Sequence, residues 1–415
     1  MKNRLITAIA LMLAFGVAVA QNGTLTPYSG YGYGMLRDGV TSTQRSMGGI
    51  GYAMNSGRQI NTMNPASFAA IDSLTFLFDL GVDVTSMWLK EDNGDGTHTS
   101  DRRWAGGLDY ATMQFPLGKY LGGSVGLLPY SSVGYAFGSK IDNGIDSRQG
   151  SGNLSELYVG IAGKPFKGFT IGANISYLFG NLINETYAQI STSNYGVFQD
   201  QIEVRDFHLV FGAQYSLNLN KVDRLTFGLT YSPAKTLLGT SRQAAYAPGE
   251  GEPTFSNEHS LKGNYSLPEK WGAGINYQFD RKIMVEFDYT FQPWSKARYR
   301  GFGDALDFDF ADRTKYALGF QYTPDFRGSY LKRVNYRLGG FYTDDYLKIR
   351  GNQLREYGVT LGFGFPVPTF KTTVNLGVEW LRRQAHPNPL IKENYLNITL
   401  GVNFNEMWFR QSKIY

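Results

Sequence analysis

The sequence predicts a transmembrane antiparallel β-barrel of about fourteen strands that holds an N-terminal plug in its lumen. Three observations predict it. The chain opens on a secretory signal, residues from Leu74 onward alternate apolar and polar with a period of two, and the segment Gln21 to Ala70 between them has neither strand nor helix periodicity. The expected division is a signal peptide over residues 1–20, a plug over 21–70 and a barrel over 71–415.

Lys2 and Arg4 precede an apolar run from Leu5 to Val19 that closes on Ala18-Val19-Ala20. Small residues stand where a signal peptidase cuts, and the run is shorter than the roughly 20 residues of a spanning helix. The mature chain is therefore expected to begin near Gln21, outside the cytoplasm. Composition narrows the class: 15% of residues are aromatic, 50 are glycine and 28 tyrosine, with a mean hydropathy of -0.28. No later apolar run reaches helical spanning length, whereas a barrel needs aromatic girdles at both membrane surfaces. The absence of cysteine excludes a disulfide scaffold and thiolate chemistry. A formal charge of +5 is small for a chain of this length and does not point to a partner.

The first strand reads Leu74, Phe76, Phe78, Leu80, Val82 and Val84, with Thr75, Asp79, Gly81 and Asp83 between them. One face of such a strand is greasy and the other polar. The pattern returns at Phe169 to Phe179, Phe207 to Tyr215, Leu225 to Tyr231, Ile275 to Phe279, Val285 to Phe291, Tyr316 to Tyr322 and Leu396 to Phe404. Weaker runs near 104–116, 120–138, 152–163, 331–348, 353–366 and 370–385 complete an even number, which leaves both barrel ends on the periplasmic side. Short turns such as Pro116 to Lys119, Lys164 to Lys167 and Asp280 to Arg281 alternate with longer connections near 90–103, 139–151, 184–201, 241–259 and 299–309. That alternation matches short periplasmic turns and long outer loops. Many runs exceed the roughly 10 residues that cross a bilayer, so the barrel is expected to stand proud of the membrane.

The lumen-facing positions carry glycines, among them Gly172, Gly212, Gly228, Gly339 and Gly401. Glycine weakens a strand interior, so the repetition reflects either close approach of another backbone or relief of curvature. The same face carries Asp79, Asp83, Glu286, Asp288, Arg313, Lys315, Arg333, Arg337, Glu356 and Glu379. Opposite signs on neighbouring strands suit wall-to-wall and wall-to-plug ion pairs better than an ion filter.

The head of the mature chain, Thr26-Pro27-Tyr28-Ser29-Gly30-Tyr31-Gly32-Tyr33-Gly34, runs through Ser46-Met47-Gly48-Gly49 to Asn64-Pro65-Ala66-Ser67-Phe68, just before the first strand. This arrangement resembles the FadL/TodX family of outer-membrane transporters over essentially the whole mature chain. Pro65 fixes φ and Asn64 can bond nearby backbone, so Asn64, Pro65 and Ala66 suit a tight turn in a crowded lumen. The resemblance implies uptake of long-chain fatty acids or aromatic hydrocarbons, with sideways exit into the bilayer beside a kinked third strand. Pro129 lies midway along the third strand here and forfeits a ladder hydrogen bond, which suits either a lateral opening or a plain bulge. Pro233 and Pro268 also fall in or near long strands. Tyr28, Tyr31, Tyr33, Met35, Met54 and Met63 are candidates for lining an apolar pocket or for packing the plug against the wall.

Other signals are weak. His98, His208, His259 and His386 are scattered with no nucleophile beside them, so an enzyme is not expected. Glu91 to Gly96 lacks the ligand pattern of a calcium loop, and neither metal nor cofactor is expected. Basic clusters at Arg102-Arg103, Lys296 to Arg300 and Arg382-Arg383 are commoner as solvated loop charge, and nucleic acid is not indicated. The leading reading is a passive outer-membrane transporter for a hydrophobic small molecule, in contact with outer-membrane lipid. The alternative is a non-transporting plugged barrel that binds other outer-membrane proteins as a subunit of a larger secretion or assembly complex.

Overall fold

The computed structural model describes residues 26–72, 74–92, 96–141, 144–189, 195–246, 255–300, 308–367 and 372–407. The expected signal peptide lies outside the described residues. Fourteen strands form the wall: β1 Thr75–Asp92, β2 His98–Pro116, β3 Leu121–Ile141, β4 Gly144–Phe166, β5 Phe169–Gln189, β6 Tyr195–Asn218, β7 Arg224–Ser232, β8 Lys270–Phe279, β9 Ile283–Gln292, β10 Arg313–Tyr322, β11 Asn335–Ile349, β12 Asn352–Pro366, β13 Thr373–His386 and β14 Ile391–Met407. Each pairs antiparallel with the next, and β1 pairs with both β2 and β14, which closes the barrel. Closure gives every strand a partner and so removes the polar edges that a bilayer would penalise.

The alternation read from the sequence is the alternation of the wall. Leu157, Val159 and Ile161 of β4, Phe207, Leu209 and Phe211 of β6, and Val359 and Leu361 of β12 point outward and are exposed. Their neighbours Tyr158, Asp206 and Thr360 point inward and are buried. Toward the short-turn end Phe166 stacks on Phe169 at 4.8 Å, and toward the other end Tyr231 meets Trp271 at 4.3 Å, as aromatic girdles require.

Several stretches expected as outer loops are largely strand. β3 and β4 continue to Ile141 and from Gly144, β5 and β6 run on to Gln189 and from Tyr195, and Gly239–Tyr246 pairs with both β6 and Phe255–Ser260. Above the membrane both faces of a strand meet water or polar neighbours, so the apolar alternation fades while the backbone ladder persists. Arg333 departs from expectation too: it closes a helical turn, Tyr330–Arg333, that precedes β11, rather than sitting on that strand.

Residues 26–72 pack against the inner wall and are mostly buried, with Arg58 and Asp72 exposed. They contain a 3₁₀ turn at Pro27–Gly30, a two-residue strand Met35–Leu36, a helical turn Ser42–Arg45 and a second 3₁₀ turn at Pro65–Ala70. Thr26 caps the first, its hydroxyl accepting from the Tyr28 N–H at 3.2 Å. Asn64 caps the last in the same way, its Oδ1 accepting from the Ala66 N–H at 3.0 Å with Pro65 at the first helical position. The Asn64 Nδ2 also donates to the Tyr52 carbonyl at 2.7 Å and the Ala213 carbonyl of β6 at 3.3 Å.

Candidate functional site

The inner wall meets the N-terminal segment through glycines. A Cβ on Gly228 would overlap the Tyr52 carbonyl, one on Gly339 the Met47–Gly48 peptide, one on Gly212 the Asn64 side chain and one on Gly122 the Phe68 carbonyl. The wall is therefore smooth where the segment's backbone passes. Curvature alone would not place these glycines opposite one another's contacts, so close approach of a second backbone accounts for them.

Between these contacts run carboxylates and cations. Asp288 of β9 accepts the N–H groups of Gly51 at 2.6 Å and Tyr52 at 3.0 Å, and Glu286 accepts that of Ala53 at 2.9 Å. Three successive backbone donors are thus met by two wall carboxyls. Asp38 sits 2.6 Å from the Lys315 Nζ and 3.3 Å from an Arg313 nitrogen on β10. Burial alone would raise the Asp38 carboxyl, but those two charges outweigh it and hold the group far below the usual carboxylate range. Arg45 lies 2.7 Å from Asp109, and despite its burial that partner keeps its guanidinium charged. The Tyr28 hydroxyl, raised by burial, is pinned between the N–H and carbonyl of Ile391, each at 2.7 Å.

Most of the remaining expected wall charges meet neutral groups or cations outside the expected set. Asp79 accepts from the Tyr110 hydroxyl at 2.7 Å and Asn403 at 3.0 Å, Arg337 donates to Asn375 at 2.7 Å, Glu379 accepts from Asn397 at 2.6 Å, and Glu356 accepts from the Arg383 Nε at 3.0 Å. Asp83 meets Arg37 at 3.4 Å. Sequence reasoning missed Arg37, Asp38, Arg45 and Asp109, which do most of the pairing between segment and wall. The signal of Arg37, Asp38 and Arg45 was present as charges in an otherwise small and apolar head, whereas Asp109 on β2 gave none.

The six tyrosines and methionines do not converge on one pocket. Tyr28, Tyr33 and Met35 belong to a buried aromatic cluster with Trp294, Phe310 and Tyr346, and Tyr31 packs at its rim against Phe308 at 5.6 Å. Tyr33 is fully buried, 5.8 Å from Trp294 and 5.2 Å from Tyr299, and its hydroxyl donates to the Ser266 and Arg298 carbonyls at 3.2 Å. Met54 lies elsewhere, with Met47 and Ile50, and Met63 borders a third place, a cavity of 130 Å³. That cavity is walled in part by apolar and aromatic groups, among them Leu128, Pro129, Tyr130 and Val210, and in part by Arg37, Asp38, Glu156, His208, Lys270 and Arg313. A second, of 160 Å³, is walled by Arg37, Asp83, Arg45, Glu379 and Arg383. His208 faces Glu156 at 3.4 Å, and Asp206 instead pairs with Lys235 at 2.5 Å.

The wall itself is split. β2 and β3 pair only from Pro116↔Gly122 to Ala111↔Leu127, and no pair between them follows among the described residues. A bulge lies on each lip just beyond that last pair. On β2 the register against β1 shifts between Gly81 and Val82, leaving Asp109 as the extra residue and turning it inward. On β3 the register against β4 shifts between Pro129 and Ser131, leaving Tyr130 extra. Proline cannot donate to a ladder, and a bulge re-aims the strand, so both devices end pairing here.

The N-terminal segment spans the split. Leu36 and Met35 pair with Ser131 and Ser132 of β3, and the Arg37 N–H donates to the Tyr130 carbonyl at 2.9 Å. The Arg37 guanidinium meanwhile reaches Asp109 on the opposite lip at 2.9 Å. Pro233 and Pro268 mark a second departure, where the chain leaves β7 and returns to β8 through the small ladder of Lys235–Thr236 with Ser266–Leu267.

The fold is that of known outer-membrane channels. The toluene transporter TodX of P. putida superposes with a TM-score of 0.61 at 16% identity, over 92% of this chain and 100% of that one. The toluene transporter TbuX of Ralstonia pickettii gives 0.59 at 16% over 88% and 98%, and a Pseudomonas aeruginosa FadL homologue gives 0.60 at 11% over 89% and 99%. No curated protein matches the chain by sequence. The likeness to these channels is one of fold, whereas the BamG family matches residues 1–415 from end to end, and the chain is therefore a member of the BamG family.

Proposed function

We propose that this chain is a sealed outer-membrane barrel that serves as a non-transporting binding subunit of a larger outer-membrane secretion or assembly complex, with residues 21–70 as its plug. The single observation that carries this reading is the charge of the interior. Two of the three cavities beside the segment are small, 130 and 160 Å³, with several ionic side chains in their lining, and the third, of 810 Å³ at the short-turn end, is lined chiefly by cations and amides. A hydrocarbon placed there would displace water from ions without replacing their hydrogen bonds, which costs more than its own burial returns. Ligand pockets for apolar molecules run to about 300–1,000 Å³ and are lined mostly by hydrophobic groups. At 16% identity to the toluene transporters and 11% to the FadL homologue, the likeness is one of fold alone, and the family is BamG.

Gentle extraction from native membranes followed by mass spectrometry of both proteins and lipids tests this. A stoichiometric protein partner with no tightly held fatty acid or hydrocarbon is the expected result. A bound hydrocarbon in a barrel that extracts alone would sink it.

A second reading, passage of a hydrophobic solute, is favoured by the split at Pro129. On that reading the solute leaves between β2 and β3 toward the lipid, and Pro129→Ala, expressed at normal levels, should reduce hydrophobe uptake several-fold by allowing the ladder to extend beyond Leu127. Uptake equal to the parent's would remove the lateral exit from consideration.

A further inference from the structure

The short-turn end of the barrel, periplasmic in outer-membrane barrels, opens into a cavity of 810 Å³ beneath the N-terminal segment. Its cations are Arg58, Lys221, Arg224, Arg281, Arg327 and Arg333, together with Lys282, which is paired with Asp280 at 2.6 Å. Its only acids among the described residues are Asp72 and Asp223. Asp223 is already engaged, accepting from Asn220 at 2.6 Å and from the Asp280 N–H at 2.8 Å. None of the first six cations forms an ion pair with an acid among the described residues. The Nε atoms of Arg224 and Arg333 are buried without a hydrogen-bond partner.

This contrasts with the interior above, where wall cations such as Arg313, Lys315 and Arg383 meet acids. Like charges gathered around a concave surface repel one another and focus a positive potential into it. Buried N–H groups left open cost free energy until an acceptor arrives. Between the cations the wall is amide, from Asn276, Gln278, Gln321, Asn335, Asn375 and Asn403, each bonded to the wall through one end and able to meet a peptide backbone through the other. Apolar groups, among them Met54, Val222, Ile283, Met284 and Phe326, are the minority of the lining, which disfavours an acyl chain.

We propose that this vestibule binds an acidic peptide segment of a periplasmic protein, its carboxylates on the arginines and lysines and its backbone on the amides. The proposal rests on the subunit reading and names the place where a partner docks. The charge complementarity selects acid, and the amide wall with little apolar surface selects peptide over lipid.

The test uses the full chain in detergent and a short fluorescein-labelled glutamate-rich peptide, read by polarisation against a lysine-rich control. Binding of the acidic peptide, roughly tenfold or more above the control and weakening steeply with salt, is expected. The exposed triple substitution Lys221→Glu, Arg281→Glu and Arg327→Glu should abolish it, while Arg205→Glu with Arg298→Glu, on exposed positions at the other end, should leave it unchanged. Equal loss in both variants, no preference for the acidic peptide, or full displacement by phosphatidylglycerol vesicles or by inorganic phosphate would overturn the proposal. Failure of the subunit reading looks different: the vestibule then binds peptide as expected, but the native barrel extracts without a protein partner.

Discussion

Replacing Asp109 with alanine is expected to free the N-terminal segment from the split wall. Asp109 is almost fully buried and receives two guanidiniums, Arg37 at 2.9 Å and Arg45 at 2.7 Å, both from that segment. Removing one member of a buried ionic cluster leaves its partners charged and unsolvated, at about 3–5 kcal/mol. That is roughly two to three and a half orders of magnitude in an equilibrium. The cost falls on docking of the segment rather than on the barrel, because the ladders of β1 to β14 do not use these side chains. Trypsin reads the outcome directly: cleavage after Arg37 and Arg45 should be far faster in Asp109→Ala than in the parent, with conductance appearing in a planar bilayer. Adding Arg45→Met should recover part of the loss, since a buried cation is then absent. Identical trypsin resistance in parent and variant would show that the cluster does not hold the segment.

The second large effect is steric. Gly228→Ala and Gly339→Ala each place a methyl group where the backbone of Tyr52 or of Met47–Gly48 now lies. A rigid β-wall cannot retreat, so the segment must move, and overpacking of this kind costs about 1–3 kcal/mol per site. The N–H groups of Gly51, Tyr52 and Ala53, held by Asp288 and Glu286, report the displacement. Their hydrogen exchange should accelerate tenfold or more in the double variant. Gly340→Ala supplies the control: it is the neighbour of Gly339 on the same strand, and a Cβ there meets only one atom, at an ordinary 3.4 Å from the Gly358 carbonyl. Equal protection in all three proteins would count against tight seating.

How much of this was legible beforehand varies with the physics of each region. Where β4, β6 and β12 cross the lipid, one face must be apolar and the other polar, and the sequence records that constraint as alternation. Beyond the lipid no such constraint acts, so the upper parts of β3 to β6 and the strands Gly239–Tyr246 and Phe255–Ser260 read as loops. The glycines opposite Asn64, Tyr52 and Met47 were visible as a lumen-facing set, but only the path of the segment distinguishes close approach from curvature. Asp109 was invisible for a specific reason. It follows the outward-facing Leu108 and precedes the inward-facing Tyr110, and a bulge of one residue is needed to turn both Asp109 and Tyr110 into the lumen. Arg333 lies off β11 because a helical turn, Tyr330–Arg333, precedes that strand, and nothing in the apolar alternation marks where the turn ends.

From the sequence alone follow the membrane barrel, its strand number, its short-turn end and the non-repetitive segment Gln21 to Ala70, because each is a local or periodic response to a water–lipid boundary. Tertiary structure alone decides which charges meet, where β2 parts from β3, that Arg37 spans the two lips, and that six cations at the short-turn end meet no acid among the described residues. Those outcomes depend on contacts between residues tens to hundreds of positions apart, and on single-residue register shifts that reverse a side chain's face.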